Sequence, residues 1–579
     1  MAKPHPAAKA TDETIKETFE SIVIAFILAF IFRAYVVEAF IIPTGSMAPT
    51  LLGRHFEVGC EQCGYAFTVD HAGHERDPQT GTIPRLAAPC PMCRYPQPLA
   101  ATTQPRSGDR LLVQKYLYNI AEPQRWDVVV FRNPQTHNDD GTPGPKTNYI
   151  KRLVGLPNES LYLIDGNVYV KPYGDPEAPW HIARKTDPAE NRHWEKIQRA
   201  VWQPIYHSAY VPLDHGRVGD NIAEDDGSIS GPVREAAWSV PWVPAGRDAG
   251  TWELGNAEEG WRRAYRFVPR DGKDRSALGE LRFEWDDYHS RGTVYPYNTL
   301  ASTVLGPGVY GRQPIEDVRI AATVTLSGPE SMIEFQTTAR LEWEAETLLA
   351  RLDADGRVTL LRRVGGESTV IGETSRIRRL YPERQATLEL WFVDQQALVF
   401  VDGDVVLRHS FDVPIHQIMK RPPPADRPEV AIRVGGGPAT LRDVELDRDM
   451  AYTPSLTSSQ TAQRGAARRS ANGKLASIPP INIRPGRYFV LGDNSPISND
   501  GRFWMDVEPW IERNMFREEI RAASASNLQT SSQRSDYAQV VPRGLMVGRA
   551  FFIYFPAPYA ATPGGRQVLP NFGDMRFVH

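Results

Sequence analysis

One stretch of this chain constrains how the rest can fold: an uncharged apolar run over residues 21–32 that resumes, past Arg33, over residues 34–42. Crossing a bilayer takes roughly 20 mostly apolar residues, and the run reaches that length only by taking in Arg33 and Glu38, which then belong near the outer interface. Residues 21–42 are therefore read as a transmembrane anchor, behind an N-terminal tail at 1–20. A buried or interfacial helix is the alternative, because of the two charges. A cleaved signal peptide fits less well: Lys3, Lys9 and Lys16 are mixed with Asp12, Glu13, Glu17 and Glu20 ahead of the run, and no small-residue cleavage site follows it. The flanking charges are too balanced to orient the anchor.

The remainder must fold in water. At 579 residues it is too long for a single core, which stops growing at roughly 250–300 residues, so several domains are expected. With 66 basic against 70 acidic residues, no global field argues for nucleic acid or an anionic membrane surface as partner. The 48 prolines and 45 glycines, with frequent aromatics and little helical periodicity, predict a mainly β chain. Runs at 110–118, 126–131 and 149–156 read as buried strands of a block at 106–171, and Asp165-Gly166 as a hairpin turn before a strand at 167–170. Residues 172–232 are charged and proline-containing, a connecting region with no assignment. Strand-like runs then recur at 317–326, 331–338, 347–352, 357–362, 386–393, 397–401 and 404–411, with hairpin dipeptides at Asp355-Gly356 and Asp402-Gly403. That rhythm predicts an inserted antiparallel β-sandwich over 233–452. Residues 453–480, rich in Ser, Thr, Ala and Arg, read as a disordered linker, and 522–539 as a polar excursion within a final segment at 481–579.

Directly beyond the anchor, in a segment at 43–59, stands Pro43-Thr44-Gly45-Ser46-Met47-Ala48-Pro49-Thr50-Leu51. Alone it is an ordinary Ser/Gly/Pro turn. Further on, Lys151 interrupts an otherwise apolar strand, Asn148-Tyr149-Ile150-Lys151-Arg152-Leu153-Val154. Apolar surroundings disfavour an ammonium, so such a lysine can carry a free amine able to accept a proton near neutral pH. A strand lysine that reaches out to solvent is the plainer reading. Serine with lysine is a known hydrolytic pairing.

With Gly108-Asp109-Arg110-Leu111-Leu112-Val113, Asp127-Val128-Val129-Val130-Phe131 and the run from Gly492 through Asp493, Asn494, Ser495 and Ser498 to Asp500, Gly501 and Arg502, five boxes follow in order. Together they resemble bacterial signal peptidase I. The matching stretches, 20–59, 106–171, 484–504 and 541–556, cover about a quarter of the chain. The resemblance implies a β-barrel-like catalytic core in three parts (43–59, 106–171 and 481–579), and a serine endopeptidase in which Ser46 attacks the scissile carbonyl while neutral Lys151 takes its proton. It further implies Thr44 as an oxyanion donor beside the Ser46 backbone N–H, Ser498 as the hydroxyl that orients the amine, and Asp500 with Arg502 as a supporting pair. Substrates would be exported preproteins cut after small residues, and the site would be a plasma (inner) membrane one, single-pass, with the N-terminus cytoplasmic. The family usually has Ser at the position of Gly501 and Gly at that of Met505, so the loop there is reshaped. No cofactor for catalysis is implied.

Cys60 and Cys63, then Cys90 and Cys93, read as a tetrahedral thiolate site for a structural zinc in a ribbon-like insertion at 60–93. Disulfides are the alternative outside the cytoplasm; His55, His71 and His74 are candidate replacement ligands. The sandwich resembles concanavalin A-like or laminin G-like jelly rolls in strand rhythm alone, and its ligand, carbohydrate or protein, is left open. The competing function is a catalytically inactive, membrane-tethered binding module on a peptidase scaffold. A nucleic-acid-binding zinc ribbon is disfavoured by the lipid-spanning segment and by the lack of a basic cluster around the cysteines.

Overall fold

The computed structural model describes residues 8–71, 87–92, 96–98, 105–138, 143–144, 147–210, 241–245, 250–255, 264–270, 277–285, 316–341, 343–374, 377, 384–422, 427–452, 466–467, 479–495, 498–504, 506–517, 537–557, 559–560, 567–569 and 572–579. The expected linker at 453–480 and excursion at 522–539 lie largely outside these, as do Cys93 and His74.

The described residues are mainly β, with one long helix among them, Ala8–Tyr35. Its stretch Lys16–Tyr35 is long and apolar enough to cross a membrane, and Phe19, Phe26, Leu28 and Phe30 are exposed along it. The anchor expected over 21–42 is corrected at both ends. The helix starts within the supposed tail and stops at Tyr35, and the rest of the apolar run becomes the strand Val37–Ile41. Hydropathy is the same for helix and strand; pairing decides here. Val37–Ile41 aligns antiparallel with Arg110–Gln114, and Glu38 meets Lys115 at 3.1 Å, so this charge belongs to the sheet edge.

Strands from three distant parts of the chain make one sheet, in the order Val37–Ile41, Arg110–Gln114, Met546–Phe555, Val128–Arg132, Asn148–Gly155, Arg487–Leu491 and Val541–Pro542. A smaller sheet follows from Glu159–Ile164 and Asn167–Pro172, whose turn at Asp165 and Gly166 (φ 51° and 88°) has the left-handed geometry the Asp-Gly pair predicts.

Two further sheets share one apolar core, from Val318, Ile320, Phe335, Leu348, Leu388, Leu390, Ile432 and Leu441 among others, in a sandwich-like arrangement. Its first sheet takes in Gln203–His207, paired with Ala439–Arg448. The unassigned connection thus supplies a strand to the sandwich, and ahead of it the helix Trp194–Val201. A buried charge cluster binds this connection down: Lys185 Nζ lies 2.9 Å from Asp394 and 2.8 Å from Asp449, and Gln198 Nε2 donates to Asp449 at 2.6 Å. Trp126 Nε1 donates to the Arg184 carbonyl at 3.1 Å, joining the connection to the first sheet. The sandwich is therefore keyed to the seven-stranded path of the first sheet by side chains as well as by the chain itself.

Candidate active site

Ser46 lies on the short 3-10 turn Gly45–Met47, four residues past the end of the edge strand. Lys151 sits mid-strand opposite Val129 and is 4% exposed. A 2.7 Å hydrogen bond joins Lys151 Nζ to Ser46 Oγ across 105 residues of sequence. The amine also lies 5.6 Å from the centre of the Tyr149 ring, two residues back on the same strand face. Which partner donates depends on the charge of the lysine: an ammonium gives a proton to Oγ, a free amine accepts one from it.

Other groups hold the two in place. Asn494 donates its backbone N–H to the Ser46 carbonyl and its side-chain amide to the Gly45 carbonyl, both at 3.0 Å. Next to the lysine, Arg152 is fully buried and grips Asp493 through two bonds, at 2.8 and 2.6 Å, while Thr50 donates to the same carboxylate. One ion pair thus ties together the serine segment, the lysine strand and the loop after Leu491. A second buried pair shapes that loop: Arg502 binds Asp500 at 2.8 and 2.7 Å and the Ser495 hydroxyl and carbonyl at 2.7 Å each, and Asp500 accepts the Gly492 N–H. Asp109 accepts from the backbone of Leu52 at 3.0 Å and Ala557 at 3.3 Å, and its burial pushes the carboxyl above the ordinary range.

Thr44 is exposed and extended at the head of the turn, with no side-chain capping bond. Ser498 is buried, and its hydroxyl finds no partner among the described residues, so it makes no hydrogen bond to Lys151. It does lie close to the serine turn. A Cβ placed on Gly492 would fall 2.1 Å from Ser498 Oγ and 2.5 Å from the Ser46 carbonyl oxygen, so only glycine leaves room between them. Sequence reasoning singled out neither Arg152 nor Asp493 as partners; an arginine inside a run of buried strand residues was the available sign.

The cysteines occupy a separate hairpin. Cys60 and Cys63 form a knuckle between the strands His55–Gly59 and Ala66–Asp70, with Gly64 at φ 75° donating to the Cys60 carbonyl. Cys90 follows a second hairpin strand, and the sulfurs of Cys60, Cys63 and Cys90 all lie within 4.8 Å of one another. Cys63 and Cys90 Sγ are 3.6 Å apart, far beyond the roughly 2.05 Å of a disulfide. Thiolates at about 2.3 Å from a tetrahedral zinc stand roughly 3.8 Å from each other, so these three positions fit such a set. His55 is paired with Asp70 at the opposite end of the hairpin from the knuckle.

Residues 99–235 match the family model for signal peptidase, peptidase S26. That span holds Lys151 and begins beyond Ser46. Among curated relatives, signal peptidase I of Rickettsia typhi is 27% identical over 160 residues, covering 28% of this chain and 45% of its own length. Signal peptidase I of Rickettsia prowazekii is 26% identical over 160 residues with the same coverage, and that of Rickettsia bellii 23% over 165 residues, 28% of this chain and 40% of the relative. The chain thus spans less than half the length of these relatives. The matches support a place in the signal peptidase I family, a family of serine-type proteases. Among solved structures, a carbohydrate binding module, CBM66 from Bacillus subtilis, is 12% identical with a TM-score of 0.22, covering 36% of this chain and 95% of that one. A Bacillus licheniformis beta-glucanase is 10% identical with a TM-score of 0.22, covering 40% and 99%. Overlaps that slight say nothing about what this protein binds.

Proposed function

We propose that this protein is a membrane-bound serine endopeptidase that removes signal peptides from exported preproteins, with Ser46 as nucleophile and Lys151 as general base. The observation that carries the reading is the 2.7 Å bond between a turn serine and a nearly buried strand lysine. Burial disfavours the ammonium, so the free amine can draw the proton from Ser46 Oγ as that oxygen attacks the scissile carbonyl. The protonated amine then gives its proton to the departing amine of the mature protein, leaving the signal peptide esterified to Ser46. In the second half, Lys151 takes a proton from water as its oxygen attacks the ester carbonyl, then returns that proton to Ser46 Oγ as the ester bond breaks and the signal peptide leaves with its new C-terminal carboxyl group.

Thr44 Oγ1 and the Ser46 N–H supply the oxyanion donors in this reading, and Ser498 steadies the amine once substrate closes the site. The strand Val37–Ile41 is at the edge of its sheet, where an extended peptide can add by main-chain bonds and present small side chains beside Ser46. The helix ending at Tyr35 anchors the site to the bilayer, with the N-terminus on the cytoplasmic side. Cys60, Cys63, Cys90 and Cys93 hold a structural zinc.

Preprotein cleavage in liposomes by the intact chain and by Ser46→Ala tests the assignment. Only the parent should release a mature product, with its new N-terminus after a small residue. Equal cutting by both would refute Ser46 as nucleophile; a folded parent that cuts nothing would favour the inactive binding-module reading. Elemental analysis of the purified chain should find close to one zinc per molecule, lost in Cys90→Ser; a metal-free parent with mixed disulfides would contradict the thiolate site.

A further inference from the structure

We infer that Asp70 is a positioning residue for the nucleophile turn, and that the cysteine hairpin is the strut that holds it there. The inference rests on reading Ser46 as the nucleophile. Its starting point is the residue before that serine. A Cβ built on Gly45 would lie 2.3 Å from Asp70 Oδ2 and 2.9 Å from its Cγ, closer than real side chains approach. Gly45 is not among the glycines with positive φ, so its backbone conformation is one any residue could adopt. It is the buried Asp70 carboxylate, laid against the turn, that leaves space for glycine alone.

Asp70 ends the strand Ala66–Asp70 and stands opposite His55, the first residue of the partner strand. The base of this hairpin is stitched to the serine segment. Arg54 donates to the Pro43 carbonyl at 3.3 Å, His71 donates to the Arg54 carbonyl at 3.1 Å, and His55 Nδ1 lies 2.7 Å from the Gly53 carbonyl. Gly53 itself packs so close that a Cβ there would fall 2.1 Å from the Thr44 carbonyl carbon. The far end carries Cys60 and Cys63, about 16 Å away at 3.3 Å per strand residue. Among the described residues, base and knuckle are joined by two strands and a small apolar cluster of Phe56, Val58, Phe67 and Val69 with the cysteines and Met92, against which Tyr65 and Tyr210 pack, while Arg106 bridges to His55 and pairs with Glu57. Two-stranded hairpins are marginal in water by themselves. Clamping the sulfurs at the tip therefore fixes the strand register, and the register fixes where Asp70 meets Gly45. A carboxylate beside a developing oxyanion would oppose catalysis if charge were its contribution. Its contribution is shape: it sets the path of the backbone that aims the Ser46 N–H and Oγ.

The test uses the full chain in detergent. Gly45→Ala should lower the melting temperature by about 3 °C, and by about 1 °C or less when made on top of Asp70→Ala, because the obstructing carboxylate is gone. Chelating the metal, or Cys60→Ser, should speed amide exchange across residues 43–51. In preprotein cleavage, Asp70→Ala should lower kcat about 10-fold with KM little changed, and Asp70→Asn, which keeps the shape, should recover most of the loss. Gly45→Ala costing the same with and without Asp70, exchange at 43–51 indifferent to chelation, or Asp70→Asn as impaired as Asp70→Ala would each overturn the inference. Melting and exchange are read without any cleavage, so an error about the peptidase reaction would show separately.

Discussion

Lys151→Ala is expected to lower kcat/KM for preprotein cleavage by roughly 10²- to 10⁴-fold, the range a positioned general base supplies. The expectation follows from geometry. Lys151 Nζ is the amine joined to Ser46 Oγ, and the Asn494 bonds hold the Gly45 and Ser46 carbonyls rather than the hydroxyl, so they offer no substitute proton acceptor. Lys151→Arg should fail nearly as badly, because a guanidinium stays protonated and can only donate to Oγ. Lys151→Met keeps the bulk without the amine and separates lost chemistry from lost packing. Initial rates in liposomes, with melting curves for each variant, check this; a Lys151→Met protein that cuts at the parental rate would remove lysine from the mechanism.

Lys185→Met should destabilise the seam between the connecting region and the sandwich by about 3–5 kcal/mol, because it strips the cation from a buried acidic cluster. Burial alone would push the Lys185 ammonium down, but Asp394 and Asp449 hold it well up. Even with the lysine present, burial and the neighbouring Asp394 and Asp449 raise the Asp317 carboxyl well above its ordinary value, and burial raises that of Asp449. A carboxyl raised in the folded state favours folding while it keeps its proton, below the ordinary carboxylate pKa, and that advantage is lost as pH rises through the folded value. The damage from Lys185→Met should therefore be mild in acid and grow toward pH 8. Denaturant unfolding followed by tryptophan fluorescence at pH 5 and pH 8 measures it. An unchanged midpoint at pH 8 would mean that the cluster does not hold the seam.

The legible parts of the fold were those where chemistry is local. The strands Val318–Leu326, Gln385–Val393 and Gln396–Val401 are short apolar runs between turns, and Asp402-Gly403 adopts the left-handed turn its composition calls for. The strand Glu367–Glu373 was not legible, because it is polar and exposed along most of its length and exists only by pairing with Val358–Val364. The end of the apolar helix was misplaced for a similar reason: nothing in the composition of residues 34–42 distinguishes lipid from a sheet partner 77 residues on, as Val37 meets Gln114 only in the fold. Ser46 and Lys151 stood out because each sits in a compact, recognisable box. Arg152 with Asp493, 341 residues apart, and Asp70 against Gly45 did not, since neither partner announces the other in sequence.

The most direct measurement is the mass of the peptide containing Ser46 after an acid quench during preprotein turnover. A covalent increment equal to the signal peptide acyl group on Ser46, absent in Ser46→Ala, is the predicted result. Cleavage that proceeds with no adduct, or with the adduct on another residue, would contradict a serine nucleophile activated by Lys151.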